Sequence, residues 1–150
     1  GISPINWLGD PRTALPSLAL MSIVTGLGGG IIIFVAAILG LPSELYDAAH
    51  IDGADGWREV VYITIPLLTP TILYVLVATT IGALQVFVPI HLLTGCGPAG
   101  ATLSLAYLVY RYAFVFLRVG YGATAGVALL FITLGLTVLQ FNWFRTAVEY

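Results

Sequence analysis

The chain has 150 residues, of which 59% are hydrophobic and only 8% are charged. Because a soluble globular domain usually carries about 25% charged residues, this composition excludes an ordinary soluble domain and predicts a membrane protein. The net charge of −2, without a basic cluster, excludes an electrostatic nucleic-acid surface. His50 and His91 have no partner at metal-ligand spacing, so no metal site is predicted.

Three segments carry no Asp, Glu, Lys or Arg, and each is long enough for a spanning helix of about 20 residues. The segments are Thr13–Ser43, Val60–Tyr110 and Val119–Phe144. The spans predicted within them are residues 18–39, 66–89 and 119–142. The predicted fold class is therefore an all-α, polytopic membrane protein. Because three helices alone make a thin bundle, we expect the chain to be the C-terminal part of a longer polypeptide.

The first span is preceded by a Pro-rich segment, Gly1–Pro16, which predicts an exposed loop with an interfacial Trp7. The span itself contains the glycine-rich stretch 26–30. Small residues in a membrane helix favour close helix packing, and a hinge is the alternative interpretation.

A polar island at 41–62 separates the first two spans and holds five of the seven acidic residues of the chain. Ser43 is predicted to cap one short helix and Asp55 a second, with a turn at Gly53 because glycine tolerates positive φ. The island is therefore predicted to be a helix–turn–helix on the membrane surface, and Pro66 to begin the second span.

The second and third spans are joined by a loop, Ile90–Ala101, and an aromatic segment, Thr102–Leu117, predicted to be an outer interfacial or re-entrant helix. With three spans, the polar island and the C-terminal tail lie on one side of the membrane. The loop and the aromatic helix lie on the other side.

The island and its continuation carry a motif with fixed spacing. Asp47-Ala48-Ala49 is followed by three residues, Gly53, nine residues and Ile63-Thr64-Ile65-Pro66. This pattern resembles the EAA loop of binding-protein-dependent ABC importer permeases, with Asp in place of Glu and Ile in place of Leu. The resemblance implies a transmembrane permease of a bacterial or archaeal inner membrane.

In that family, the loop (here 41–65) is a cytoplasmic coupling helix that docks into a cleft of a separate ATP-binding subunit. The resemblance implies a coupling role for these residues of this chain: Asp47, Ala48, Ala49, Asp52, Gly53, Ile63 and Pro66. Asp52 is also open to interpretation as a cap or a solvated charge. The implied partners are cytoplasmic ATP-binding subunits, a second permease subunit, an extracytoplasmic solute-binding protein and membrane lipid. The chain has no phosphate-binding loop of the Walker type, so we expect no catalytic residue and no cofactor of its own.

Two further stretches favour one branch of the family. Thr94-Gly95-Cys96-Gly97-Pro98 resembles the T-G-G-G-P loop of carbohydrate-type permeases, with Cys in place of the middle Gly, and Gln85-Val86-Phe87 is similar to that branch as well. The expected cargo is a sugar, an oligosaccharide or glycerol-phosphate. Gln85 is predicted to lie deep in the second span, where a polar side chain faces either the substrate pathway or another helix.

Two alternatives come from other classes of protein. A secondary transporter would need ionisable residues inside its spans to couple ions, and the predicted spans contain no Asp, Glu, Lys or Arg. A membrane scaffold without transport function would explain the helices but not the spacing of the motif.

Overall fold

The computed structural model describes residues 6–51, 53 and 56–148, and these residues form helices joined by turns, without a strand. The helices are α1 (Pro11–Leu39), α2 (Ser43–Ile51), α3 (Trp57–Glu59), α4 (Ile65–Leu84), α5 (Leu105–Tyr110) and α6 (Val119–Val148). π-helical turns occupy Val60–Thr64, Ile90–Thr94 and Arg111–Val115, and a 3₁₀ turn occupies Pro98–Gly100. Within the described residues, three helical segments are long and apolar enough to cross a membrane, which confirms the predicted fold class.

Helix α1 begins at Pro11, so the prediction of a loop up to Pro16 is wrong. Asp10 lies just before the helix, where its Oδ1 accepts the Arg12 N–H at 2.9 Å and its carbonyl accepts the Ala14 N–H at 2.9 Å. A capping side chain starts the helix early, and Pro11 at the first helical position costs little because an N–H there has no partner within the helix.

The second span differs from its predicted bounds at both ends. The helix runs without interruption from Trp57 to Leu84, so Pro66 does not begin it. The helix passes Pro66 by widening into the π-helical turn Val60–Thr64, in which the Ile65 N–H bonds to the Val60 carbonyl. A π turn rearranges the hydrogen bonds that a proline would break in a regular α-helix. The second short helix of the island is therefore the start of this long helix.

The predicted helix over Thr102–Leu117 is shorter than expected. Ser104 accepts the Tyr107 N–H at 3.1 Å and so caps α5, which begins at Leu105 and continues through the π turn to Val115. Leu117 has a φ of 54°, which turns the chain into α6. Helix α6 begins at Val119, where the third span was predicted to begin.

The described residues divide into two compact units. The first unit comprises the ranges Gly1–Gly26 and Thr79–Leu136. The second unit comprises Leu27–Ala78 and Thr137–Tyr150. The first unit has a small core. Its members are Leu18, Ile90, Cys96 and Tyr107, with Leu8, Val86, Phe87 and Tyr110 packed against them. The second unit contains α2 and the start of the second long helix.

Candidate coupling helix and outer loop

Helix α2 carries the predicted coupling motif. It begins at Ser43, directly after Pro42, and has Glu44 in its first turn, where a negative charge is favourable. After its last residue, Ile51, the chain turns at Gly53, whose φ of 75° agrees with the predicted need for glycine. Asp52, predicted to take part in coupling, and Asp55, predicted to cap a helix, lie outside the described residues.

The two faces of α2 differ in exposure. Four exposed residues, spaced three or four positions apart, share one face of the helix, the acidic face. Its members are Glu44, Asp47, Ala48 and Ile51. Ala49 is only 8% exposed and lies on the opposite face. Ala48 is therefore the alanine open to a partner, and the coupling role implied for Ala49 stays a prediction.

The opposite face of α2 contacts the start of the second long helix. The Tyr46 hydroxyl lies 3.2 Å from the Thr64 Oγ1. One turn further along α2, His50 Nε2 lies 3.9 Å from Glu59 Oε2. Sequence reasoning missed these four residues, although the spacing of Tyr46, Ala49 and His50 places them on one helix face.

The remaining motif residues lie where the second long helix begins. Ile63 is half-buried within the π-helical turn, and Pro66 is exposed at the second position of α4. The arrangement brings Ile63 and Pro66 next to Thr64, the residue that Tyr46 contacts. The motif segment therefore contains both the exposed acidic face of α2 and the Tyr46–Thr64 contact that joins α2 to the long helix.

Gln85 lies at the end of the second span instead of deep within it, which corrects its predicted position. Helix α4 ends at Leu84, and the Gln85 N–H still bonds to the Ile81 carbonyl at 3.1 Å. The Gln85 side chain is exposed. Its backbone forms a turn directly after the last residue of α4.

The loop that resembles T-G-G-G-P turns through three consecutive residues with positive φ: Gly95 at 55°, Cys96 at 93° and Gly97 at 66°. Side-chain hydroxyls close the loop, since Thr94 Oγ1 lies 2.9 Å from Thr102 Oγ1. A Cβ placed on Gly97 would lie 2.6 Å from Thr102 Oγ1, so only glycine fits there. Cys96, by contrast, adopts a conformation that is strained for a residue with a side chain.

The Cys96 side chain is buried in the core of the first unit, where it is 7% exposed. The Arg111 Nη1 donates to its Sγ at 3.5 Å, and the Arg111 guanidinium lies 5.1 Å from the centre of the Phe116 ring. Burial raises the pKa of the Tyr107 hydroxyl, and its hydrogen bond with Cys96 acts in the same direction.

Aromatic rings surround this core. His91 stacks on Phe87 with ring centres 5.3 Å apart, and Tyr110 meets both rings edge-on at 5.0 and 5.2 Å. Such pairs add specific geometry to apolar burial. His91 therefore belongs to an aromatic cluster.

Known proteins resemble this chain over most of its length. It is 39% identical over 112 residues to the trehalose/maltose transport system permease protein MalF of Thermococcus litoralis, covering 75% of this chain and 38% of that protein. It is 44% identical over 118 residues to the sn-glycerol-3-phosphate transport system permease protein UgpA of Rhizobium meliloti, covering 78% of this chain and 40% of that protein. The chain thus spans less than half the length of these curated relatives.

Among solved structures, the fold matches a chain of a bacterial alginate ABC transporter, crystallised in complex with an alginate pentasaccharide-bound periplasmic protein. The TM-score is 0.79, and the match covers 99% of this chain and 52% of that one. At 24% identity, this similarity shows the fold alone.

The family described as binding-protein-dependent transport system inner membrane component matches residues 2–148, which is nearly the whole chain. The spacing of the motif on α2 and the three apolar spans agree with this match. The chain belongs to this family of multi-pass inner-membrane transport components.

Proposed function

We propose that the chain forms the membrane-spanning part of a permease subunit in an ATP-driven importer, with α2 as the coupling helix. The subunit itself is not catalytic, and ATP is bound and hydrolysed by a cytoplasmic partner. A second permease subunit completes the pathway, and a solute-binding protein delivers the cargo. The observation that carries the proposal is the exposed acidic face of α2 on a helix whose opposite face contacts a spanning helix.

The acidic face has the chemistry of a docking surface. Ala48 is small, so a partner's cleft can approach the helix backbone closely. Asp47 and Glu44 supply negative charge beside it, which fits a cleft with basic or hydrogen-bond donor groups. Ile51 is 87% exposed and adds an apolar contact of the kind that a protein partner would cover.

The proposed cargo is a sugar, an oligosaccharide or glycerol-phosphate. The permeases MalF and UgpA, to which the chain is similar, are named for transport of trehalose/maltose and sn-glycerol-3-phosphate. Gln85 is the proposed polar contact in the substrate pathway, because its exposed amide can bond to substrate hydroxyls at the end of a spanning helix. Membership of the family argues against the two alternatives, a secondary transporter and a scaffold.

The test is docking of the ATP-binding subunit on the complete transporter. Ala48→Trp should prevent co-purification of that subunit and abolish ATPase stimulation by the binding protein, because the bulky ring holds the cleft away. Ala48→Ser, which stays small, is the matched control and should behave as the parent. Full stimulation in the Ala48→Trp transporter would show that α2 is not the docking element.

A further inference from the structure

Two side-chain contacts join α2 to the start of the second long helix. Tyr46 and Thr64 are the first pair, with hydroxyl oxygens 3.2 Å apart. Thr64 Oγ1 also donates to the Glu59 carbonyl at a longer distance of 3.5 Å. Either hydroxyl of the Tyr46–Thr64 pair can be the donor, since each carries one proton and can also accept.

The second pair is His50 and Glu59, whose Nε2 and Oε2 atoms lie 3.9 Å apart. Tyr46 and His50 are four residues apart, so both side chains leave α2 on the same face. Glu59 directly precedes the π-helical turn Val60–Thr64, and Thr64 is its last residue. The contacts thus connect one face of α2 to both ends of that turn.

Apart from these contacts, α2 has little support of its own. Helix α2 has nine residues, a length that is not stable in isolation. The chain leaves it through Gly53 in the left-handed region, and glycine has the freest backbone of all residues. The side-chain contacts therefore give α2 a direct link to the second long helix in addition to the backbone.

We propose that Tyr46 is a positioning residue whose hydrogen bond to Thr64 makes α2 and the start of the second long helix move as one body. This inference rests on the proposed coupling function. Closure of the ATP-binding subunits displaces α2, and the Tyr46–Thr64 bond passes that displacement to the spanning helix. Without the bond, the partner still docks and hydrolyses ATP, but less of the motion reaches the membrane.

The test compares uptake per ATP hydrolysed in the complete transporter, reconstituted with its ATP-binding subunits and binding protein. Tyr46→Phe and Thr64→Val each remove one hydroxyl and keep the size of the side chain. Each should lower uptake per ATP about fivefold, the effect typical of one hydrogen bond, while co-purification of the ATP-binding subunit stays normal. Thr64→Ser retains the hydroxyl and should restore parental coupling. Tyr62→Phe, at a tyrosine that is 77% exposed, is the matched control and should have no effect.

The double variant separates this bond from a general loss of packing. Since both single changes remove the same interaction, the double variant should couple no worse than either single one. Effects that multiply, or parental uptake per ATP in Tyr46→Phe, would overturn the inference. Those outcomes leave the docking result for Ala48→Trp unaffected, so failure of this inference is distinguishable from failure of the proposed function.

A distance measurement tests the rigid connection directly. Spin labels at Leu45→Cys and Trp57→Cys, two exposed positions, report the separation of α2 and α3 once Cys96 is replaced by alanine. The distance distribution should stay the same when nucleotide binds to the parent transporter, and it should broaden in Tyr46→Phe. A distance that changes in the parent would show that α2 moves independently and would overturn the inference.

Discussion

The Ser104 hydroxyl donates to the Val86 carbonyl oxygen at 2.8 Å while it accepts the Tyr107 N–H at 3.1 Å. One side chain therefore joins the backbone that follows α4 to the first turn of α5. Val86 needs this donor because α4 has already ended at Leu84, and a backbone carbonyl without a partner is costly in a membrane.

Ser104→Ala should destabilise the protein by about 1–3 kcal/mol, because it removes a helix cap and leaves a carbonyl without its partner. Thermal unfolding of the purified transporter in detergent measures the change. Ser22→Ala is the matched control, since the Ser22 hydroxyl bonds only within its own helix, to the Leu18 carbonyl at 2.9 Å. Equal loss of stability in both variants would contradict the joining role of Ser104.

Cys96→Gly should be more stable than Cys96→Ala. Both changes remove the thiol, but only glycine relieves the strain at a φ of 93°. The net difference should be about 0.5–1 kcal/mol, because the gain in the folded state exceeds the extra freedom of glycine in the unfolded chain. Thermal unfolding of the two variants side by side provides the comparison, and an alanine variant of equal or higher stability would disprove it.

Gly122→Ala should destabilise the contact between α6 and the segment before it. An added Cβ would lie 3.0 Å from the Ala113 Cβ and 3.1 Å from the Ala113 nitrogen, and overpacking of this kind typically costs about 1–3 kcal/mol. Gly120→Ala, in the same turn of α6, meets nothing within 4 Å and should change stability by less than about 0.5 kcal/mol. If the unfolding midpoint fell equally in Gly122→Ala and Gly120→Ala, the contact with Ala113 would not explain the loss of stability.

The predicted membrane topology places Asp10 outside and Glu44 in the cytoplasm. Single cysteines at these exposed positions can be labelled with a membrane-impermeant thiol reagent, in a background where the buried Cys96 is alanine. Asp10→Cys should react in intact cells, whereas Glu44→Cys should react only after the membrane is opened. The opposite pattern would reverse the orientation and place α2 where no ATP-binding subunit can reach it.

Gln85→Leu should lower uptake about fivefold or more if the amide bonds to substrate, without loss of the ATP-binding subunit or of basal ATP hydrolysis. Gln85→Asn keeps the amide and should retain part of the activity. Uptake measured against substrate concentration separates affinity from rate. Normal uptake with normal apparent affinity in Gln85→Leu would assign the side chain to packing.

The three spans could be predicted because a membrane helix excludes charge over its whole length, and the sequence shows where charge is absent. Helix ends could not be located in this way. Asp10 starts α1 through one hydrogen bond to Arg12, and Ser104 starts α5 through one to Tyr107. The hydropathy of a segment does not depend on such single hydrogen bonds, so it cannot predict the residue at which a helix begins.

The coupling motif was identified from its spacing, but the division of α2 into two faces was not. The fixed spacing identifies the residues of the motif. It does not show which of these residues are buried in the folded chain. Ala48 and Ala49 are the same residue type, yet Ala48 is exposed and Ala49 is buried. Glu59 and Thr64, which contact α2, lie after the turn at Gly53 and before Pro66, the residue that was predicted to begin the second span, so they were not recognised as part of the long helix.

The π-helical turn Val60–Thr64 also changes the phase of the second long helix. A regular α-helix advances about 100° per residue, and a π turn accommodates roughly one extra residue within a turn. Side chains before the turn are consequently rotated relative to a single helical wheel drawn through Trp57–Leu84. The face of α4 that a cysteine scan of Ile65–Leu84 would map as lipid-facing therefore cannot be extended on the same wheel to Trp57, Arg58 and Glu59.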